Sequence, residues 1–294
     1  MNGTVSTIAV IFDFDDTLVP DSTTLLLEEH GVDSKKFWKK DVKKLISAGY
    51  DPTPAYLKLL LDNIGKDKSL GPLTNNDLRK FGANLDNKFY VGLPGLFSDL
   101  RKIVKRYKKI NLNIEFFIIS GGLQEIIEGS KIVKQNFKAV YACRLAGDTE
   151  AGVLKYISRC VTFTEKTRFL FEINKGLDPK KTRRNPFFVN QDIKEDKRPV
   201  PFKNMIYVGD GNTDIPCFSV VGKMGGGQTF GVFNPDDKKS AKKALQEFLI
   251  PDRVISVHAP RYRKNDELGS FIRSAVATRC NKMVLERKQA EAVY

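Results

Sequence analysis

Near its start the chain has an apolar segment of strand type that ends abruptly in a cluster of carboxylates. Residues 8–12 read Ile-Ala-Val-Ile-Phe, and Asp13, Asp15, Asp16 and Thr17 follow within five positions. Side chains alternate between the two faces of a strand, so Asp13 and Asp15 leave the strand end on the same side. The segment therefore predicts a strand that presents paired carboxylates at its carboxyl end.

Two carboxylates held this close repel each other and raise one another's pKa. A divalent cation such as Mg²⁺ offsets that repulsion, because it prefers oxygen ligands and keeps open positions for phosphate oxygens. Phosphoryl transfer uses such a set, in which one carboxylate attacks, a neighbour moves protons and a metal neutralises charge. The alternative interpretation is an acidic turn that only caps the strand, with Asp15 or Asp16 in solvent.

Composition places the chain among globular proteins. Its 294 residues are 41% hydrophobic and 29% charged, enough for one large domain or for a core with a smaller domain. We expect no membrane span and no secretory signal, because no apolar run approaches about 18 residues and aspartates interrupt the first one. The four cysteines are scattered, which favours reduced thiols in a cytoplasmic protein: Cys143, Cys160, Cys217 and Cys280.

The net charge of +14 indicates an affinity for anions such as phosphorylated metabolites, nucleic acid or acidic membranes. Basic residues run through most of the chain, and we expect many of them on solvated helix faces. The charge therefore supports only a weak nucleic-acid hypothesis. His30 and His258 lie far apart with no obvious ligands beside them, which argues against a Ser–His–Asp or metal–histidine mechanism.

Apolar strand patterns alternate with helical ones along most of the chain. After the first strand, further strands are predicted at Leu112–Ile119, Val140–Leu145, Val153–Ser158, Met205–Val208, Thr229–Phe233 and Val254–Val257. Helices are predicted at Ser22–His30, Ser34–Ala48, Pro54–Ile64, Thr74–Leu85, Gly95–Lys109, Thr164–Lys175 and Asp236–Leu249, and from Leu123 and about Asp266. This alternation predicts an α/β fold, a doubly wound and mainly parallel sheet with helices on both faces.

The predicted domain organisation is an α/β core of residues 1–19 and 91–294, interrupted by an all-helical insert of residues 20–90. Residues 176–203 form a second insertion, a basic and proline-containing stretch that we expect on the surface without a catalytic role. Ligands of parallel sheets bind beyond the carboxyl ends of the strands. Three predicted strands end there in unusual polar residues: Asp13 and Asp15, Ser120, and Asp210 and Asp214.

Four segments, taken in order, resemble the haloacid dehalogenase-like superfamily of phosphohydrolases. They are Asp13-Phe14-Asp15-Asp16-Thr17, Ile118-Ile119-Ser120-Gly121-Gly122, Lys166 at the head of a helix, and Val208-Gly209-Asp210-Gly211-Asn212-Thr213-Asp214. Each is short and weak alone, but all four in order are a strong signal. The Ser-Gly-Gly segment and the Tyr-Ala-Cys-Arg-Leu run before Lys166 are most similar to the phosphoserine-phosphatase-like branch, which has a Rossmann-like core and a small helical cap.

The resemblance implies roles for the acidic residues. Asp13 would be the nucleophile that forms an aspartyl-phosphate, and Asp15 would protonate the leaving oxygen and then activate water. Mg²⁺ would bind Asp13, the backbone carbonyl of Asp15, and Asp210. Asp214 would support the metal's waters or the lysine. Members that cleave carbon–halogen bonds lack a carboxylate two residues after the nucleophile, so Asp15 argues for phosphoryl transfer.

The resemblance also implies a phosphate-binding set. Ser120 and the amide of Gly121 would hold phosphate oxygens, and Lys166 would stabilise the transferring phosphoryl group. The helical insert would be the cap that closes over the site, with Pro20 and Gly92 as candidate hinges. Candidates for substrate contact in the cap are Asp21, Ser22, Phe37 and Trp38, although aromatic residues such as the last two more often pack a helical core.

The sequence thus predicts a cytoplasmic, Mg²⁺-dependent phosphatase acting on a small phosphorylated metabolite. A phosphotransferase or mutase with the same site stays open, as does removal of phosphate from nucleic-acid ends. From a different class, a phospho-accepting or phosphate-binding regulatory protein would use a similar carboxylate pocket. The substrate and the oligomeric state are not specified by any residue.

Overall fold

A computed structural model describes residues 6–107 and 111–292. Its centre is one seven-stranded sheet in the order β4-β3-β2-β1-β5-β6-β7, in which all neighbours are parallel except β3 and β4. The strands are β1 (Ser6–Phe12), β2 (Leu112–Leu123), β3 (Ala139–Ala146), β4 (Tyr156–Arg159), β5 (Met205–Gly209), β6 (Gln228–Val232) and β7 (Ser256–His258). The predicted α/β class is confirmed.

The acidic segment follows the central strand of the sheet. Every residue from Ile8 to Phe12 is fully buried, because helices cover both faces of β1. Phe12 lies level with Ile118 of β2 and with Val208 of β5. This register brings the carboxyl ends of the three strands together, which is the juxtaposition that the sequence predicts.

Helices connect the strands and form the insert. They are α1 (Ser22–Glu29), α2 (residues 34–47), α3 (Pro52–Asp62), α4 (Asn75–Ala83), α5 (Gly95–Lys105), α6 (Gln124–Gly129), α7 (Lys131–Asn136), α8 (Phe163–Lys175), α9 (Pro179–Arg184), α10 (residues 215–224), α11 (residues 238–249) and α12 (Glu267–Ala292). Within residues 6–107 and 111–292, no helix has the length and apolar character that crossing a membrane requires.

The last helix of the insert, α4, is fastened to the core. It crosses α6 so closely that a Cβ on Gly82 would lie 1.9 Å from the carbonyl oxygen of Ile126, and one on Gly129 would lie 2.3 Å from that of Arg79. Arg79 also forms a 2.6 Å ion pair with Glu125 of α6. Helix α4 is therefore anchored to the core at both glycines and by this ion pair.

The predicted hinge at Gly92 is also closely packed. Its φ is +96°, and a Cβ there would lie 2.2 Å from the backbone nitrogen of Arg263. Tyr262 next to it donates a backbone hydrogen bond to Val91. Gly92 is thus needed for close packing against the C-terminal segment, and its role as a hinge stays a prediction.

Several predicted boundaries differ from the structure. The strand predicted at Val153–Ser158 begins only at Tyr156, since Val153 and Leu154 pair instead with Thr74 and Leu73 of the insert. The edge strand β7 lies about two residues later than expected. Helix α5 ends at Lys105, and part of the predicted continuation to Lys109 lies outside the described residues. Helix α10, which follows Asp214, has no counterpart among the predicted helices.

Candidate active site

Asp13 lies at the point where β1 ends. Its backbone N–H still belongs to the sheet and donates to Val208 O at 2.9 Å. Its side-chain Oδ1 accepts the backbone N–H of Phe14 at 2.6 Å, and the residue is 6% exposed. Burial, opposed by Lys166, raises the pKa of Asp13 to about 6. The carboxylate is therefore fixed in position and is ionised above that pH.

Lys166, in the first turns of α8, joins two carboxylates. Its Nζ donates to Asp13 Oδ2 and to Asp214 Oδ1, both at 2.7 Å, and the whole residue is inaccessible to solvent. Burial alone would lower the pKa of Lys166, but Asp13 and Asp214 outweigh it and raise the pKa above its ordinary value. The ammonium group is thus a permanent positive charge beside Asp13.

Asp214 uses both of its carboxylate oxygens within the protein. Oδ1 accepts from Lys166 and also from the hydroxyl of Tyr207 at 2.8 Å, and Oδ2 accepts the backbone N–H of Gly211 at 2.9 Å. The residue is completely buried. This arrangement suits a residue that positions Lys166, and it leaves little capacity for direct metal ligation.

Asp210 brings a third carboxylate to the same place. One carboxylate oxygen from each of Asp13, Asp210 and Asp214 lies within 4.8 Å of the others. Burial, followed by repulsion from Asp13 and Asp214, raises the pKa of Asp210 well above its ordinary value. Thr17 donates a hydroxyl hydrogen bond to Asp210 at 3.1 Å.

In this cluster three carboxylates face the single ammonium of Lys166, which leaves an excess of negative charge among the described residues. Buried negative charge of this kind requires a cation or protonation. Oxygen donors at this spacing fit Mg²⁺, with Asp13 and Asp210 as the side chains that retain free lone pairs. The donor set therefore fits the metal that the resemblance implies.

Asp15 is not one of the three clustered carboxylates, although, after burial and the charge of Asp21, the charge of Asp13 also contributes to raising its pKa. Its Oδ1 accepts the backbone N–H of Ser22 at 2.7 Å, where the chain enters the cap. Burial and the nearby charge of Asp21 raise the pKa of Asp15 well above its ordinary value. A carboxyl group whose pKa is raised keeps its proton to higher pH, which is the property required of a general acid.

The Ser-Gly-Gly segment forms an irregular end of β2, not the start of a helix. Ser120 is 1% exposed, and its Oγ accepts the backbone N–H of Gly122 at 3.0 Å. A Cβ on Gly122 would lie only 2.2 Å from Asp15 Oδ2, whereas one on Gly121 would meet nothing closer than 4.0 Å. In this segment, therefore, Gly122 is the position where close packing requires glycine, and Gly121 is not.

Tyr56 of α3 links the cap to this segment. Its hydroxyl donates to the carbonyl oxygen of Gly121 at 2.5 Å, and its ring packs on Trp38 with centroids 5.5 Å apart. Sequence reasoning missed Tyr56, because a tyrosine among the apolar positions of a helix carries no motif. The contact is visible only once α3 is placed against β2.

The cap candidates have structural contacts of their own. Asp21 caps α1 by accepting the N–H of Thr24, and the Thr24 hydroxyl in turn accepts a hydrogen bond from Trp38 Nε1 at 2.8 Å. Phe37 is buried and contacts Trp38 edge-to-face at 5.1 Å. Phe37 therefore belongs to the cap's core. Ser22 donates its amide to Asp15, and Trp38 packs on Tyr56, which itself donates to Gly121 O.

Comparison with known proteins gives a relative in sequence but no matching family model. No family model matches the chain. The chain is 31% identical over 295 residues to an uncharacterized protein of Borreliella burgdorferi, covering 92% of this chain and 97% of that protein.

Two solved structures are similar in fold. A HAD-family hydrolase from Salmonella enterica serovar Typhi has a TM-score of 0.51 at 15% identity, covering 89% of this chain and 70% of its own. A probable phosphoserine phosphatase from Vibrio cholerae, in unliganded form, has a TM-score of 0.52 at 12% identity, covering 95% of this chain and 67% of its own. Identities this low carry the fold and nothing further.

Proposed function

We propose that this chain is a Mg²⁺-dependent phosphatase acting on a small phosphomonoester. The chain belongs to the family of the Borreliella burgdorferi protein. Its fold is haloacid dehalogenase-like, of the phosphoserine-phosphatase-like type. The observation that supports this proposal most is the buried bridge from Lys166 to Asp13 and Asp214. This bridge joins the carboxylate that we propose as the nucleophile to a fixed positive charge, beside the candidate metal ligands.

In the proposed reaction a carboxylate oxygen of Asp13 attacks phosphorus and displaces the alcohol oxygen. Asp15 donates its proton to that leaving oxygen, and it later removes a proton from the water that hydrolyses the aspartyl-phosphate. Lys166 holds Asp13 in place and offsets charge on the transferring group. When bound, Mg²⁺ would supply further charge neutralisation, held by Asp13, Asp210 and the backbone of Asp15.

The test is hydrolysis of p-nitrophenyl phosphate with Mg²⁺ and with EDTA, combined with acid quenching during turnover. We expect metal-dependent release of nitrophenol and an acid-stable, hydroxylamine-sensitive phosphoprotein labelled at Asp13. Turnover that persists undiminished in EDTA would contradict the metal role, and a label on a different residue would contradict the mechanism.

The same experiment separates hydrolysis from its alternatives. A phosphotransferase would deliver part of the phosphate to added alcohols, whereas a phosphatase delivers it to water. A regulatory phosphoprotein would keep the label for minutes after substrate is removed. Release from nucleic-acid ends would weaken steeply with rising salt, because phosphate contacts depend on counterion release.

A further inference from the structure

Two of the four cysteines lie close together, one in β3 and the other just after the end of β4. Strands β3 and β4 are antiparallel, with Arg144 paired with Arg159. Cys143 precedes Arg144 in β3, and Cys160 follows Arg159, the last residue of β4, so this register continued by one residue sets the two cysteines opposite each other. Facing Cβ atoms of antiparallel strands are about 4.5–5.5 Å apart, close to the range that a disulfide requires. The backbone N–H of Val161 donates to Cys143 Sγ at 3.2 Å, which holds this segment against the sulfur.

We propose that Cys143 and Cys160 are a reversible thiol-modification site, in which a hydroperoxide converts the two thiols into a disulfide behind the phosphate-binding segment. The site is separate from the carboxylate cluster and uses none of its residues. Neither cysteine takes part in the proposed phosphatase reaction.

The two thiols differ in ways that assign their roles. Cys160 is partly exposed, whereas Cys143 is completely buried. A hydrogen bond with Cys143 lowers the pKa of Cys160, while the same contact and burial raise the pKa of Cys143 well above its ordinary value. Cys160 therefore carries the larger thiolate fraction and is the one that a hydroperoxide reaches.

The chemistry balances without a further reagent. The Cys160 thiolate attacks the terminal oxygen of the hydroperoxide, the O–O bond breaks, and an alcohol or water leaves after gaining a proton. The sulfur of Cys143 then attacks the resulting sulfenic acid, forming the S–S bond as the S–O bond breaks, and the thiol proton leaves with hydroxide as water. Two thiols are oxidised and one hydroperoxide is reduced.

Tyr56 connects this pair to the active site. Burial first, and then the proximity of Cys143 and Asp15, raise the pKa of Tyr56 well above its ordinary value, so its hydroxyl lies near both residues. The same hydroxyl donates to Gly121 O at 2.5 Å. Drawing the Cys143 sulfur toward Cys160 changes the contact with Tyr56. The consequence for catalysis rests on the proposed function, whereas the movement of Tyr56 does not.

The full-length protein is treated with hydrogen peroxide, alkylated and mapped by peptide mass spectrometry. We expect a peptide linked through Cys143 and Cys160 that the reductant TCEP releases. The Cys217→Ser/Cys280→Ser double variant, which alters two cysteines outside the pair, should give the same link. Cys143→Ser and Cys160→Ser should each lose it. Two freely alkylated thiols at positions 143 and 160 after treatment, or Cys160 oxidised to sulfinic acid beside a free Cys143, would overturn the proposal.

The link to the active site has its own readout. The chain has a single tryptophan, Trp38, whose ring packs on Tyr56. Oxidation should change Trp38 fluorescence in wild type, TCEP should reverse the change, and Cys160→Ser should show none. A linked peptide with unchanged fluorescence would refute the coupling through Tyr56. Because neither measurement uses phosphatase activity, failure of the proposed function would show separately, as absence of turnover in the reduced protein.

Discussion

Lys166 is the residue on which the electrostatic balance of the site depends. It is fully buried and donates to Asp13 and Asp214, so each of these carboxylates is compensated by the same ammonium. Removing one charge from a buried ion pair lowers the free energy of unfolding by more than the intact pair contributes to it. The reason is that the remaining charge stays buried without compensation. Lys166 therefore contributes to the stability of the fold, and in the proposed reaction it also acts on the transferring group.

We expect Lys166→Met to lower the free energy of unfolding by about 3–5 kcal/mol and to reduce turnover by at least ~100-fold. Urea denaturation and p-nitrophenyl phosphate hydrolysis measure the two effects. The matched control is Lys155→Met, which removes an exposed ion pair with Asp148 and should leave stability almost unchanged, because solvent screens such pairs. Equal effects of the two substitutions would contradict the account of Lys166.

We predict different effects on turnover for alanine substitutions at the two glycines after Ser120. Gly122→Ala forces a methyl group to within 2.2 Å of Asp15 Oδ2, so the general acid must move. We expect a loss in kcat of at least ~100-fold, since small displacements of reacting groups are that costly. Gly121→Ala keeps its amide, meets nothing closer than 4.0 Å, and should lose less than ~10-fold. Steady-state kinetics of both variants decides, and a greater loss in Gly121→Ala would be inconsistent with this geometry.

Asp16 makes stability depend on pH. Its φ is +54°, and burial, with repulsion from Asp21, raises its pKa to about 6 from an ordinary 3.8. The folded state thus holds this proton more tightly than the unfolded state does, so the contribution of Asp16 to stability is full below pH 3.8 and is lost as the pH rises through about 6.

Asp16→Asn should therefore match wild type in stability near pH 4 and exceed it near pH 7. Asparagine tolerates a positive φ, so the backbone is not disturbed. Allowing for partial exposure, we expect a gain of about 1–2 kcal/mol at the higher pH. Denaturation curves at the two pH values in EDTA measure it, and a gain that is the same at both would show that Asp16 does not titrate as described.

At the scale of elements, strands and their carboxyl ends are predictable, whereas contacts between elements are not. The runs that become β1 and β5 are apolar enough to identify, and their polar ends place Asp13 and Asp210 correctly. The Ser-Gly-Gly segment is an irregular end of β2, in which Ser120 Oγ accepts the N–H of Gly122. The sequence predicts a helix directly after it, so the irregular strand end cannot be recognised from the pattern. Tyr56 is absent from every motif because its role arises from packing.

The attachment of α4 to α6 depends on two glycines that no sequence pattern identifies. We expect Gly82→Ala to push the helices apart, since a Cβ would lie 1.9 Å from Ile126 O, and to cost about 2–3 kcal/mol. The control is Gly95→Ala, where a Cβ meets nothing within 4 Å and the cost should be close to zero. Thermal unfolding of both variants tests this, and two equal melting temperatures would mean that α4 can retreat from α6 without loss.

At the scale of the whole molecule, a strongly basic chain encloses an acidic site. The net charge of +14 favours anions near the protein, while the acidic cluster favours a cation at the site that we propose as catalytic. The fold class is predictable from the alternation of strand and helix patterns along the chain. The strand ends that form the site are predictable from the carboxylates that follow them. The hydrogen-bonded roles of Tyr207, Gly122 and Tyr56 could not be inferred, because they depend on distances between segments far apart in the chain.

The central claim is that Asp13 is the nucleophile, and the most direct measurement compares Asp13→Asn with Asp16→Asn in hydrolysis of p-nitrophenyl phosphate with Mg²⁺. Both substitutions remove one carboxylate near the end of β1, but only Asp13 contacts Lys166. We predict a loss of at least ~1,000-fold for Asp13→Asn with the fold retained, and less than ~10-fold for Asp16→Asn. Near-normal turnover by a folded Asp13→Asn variant would contradict the account.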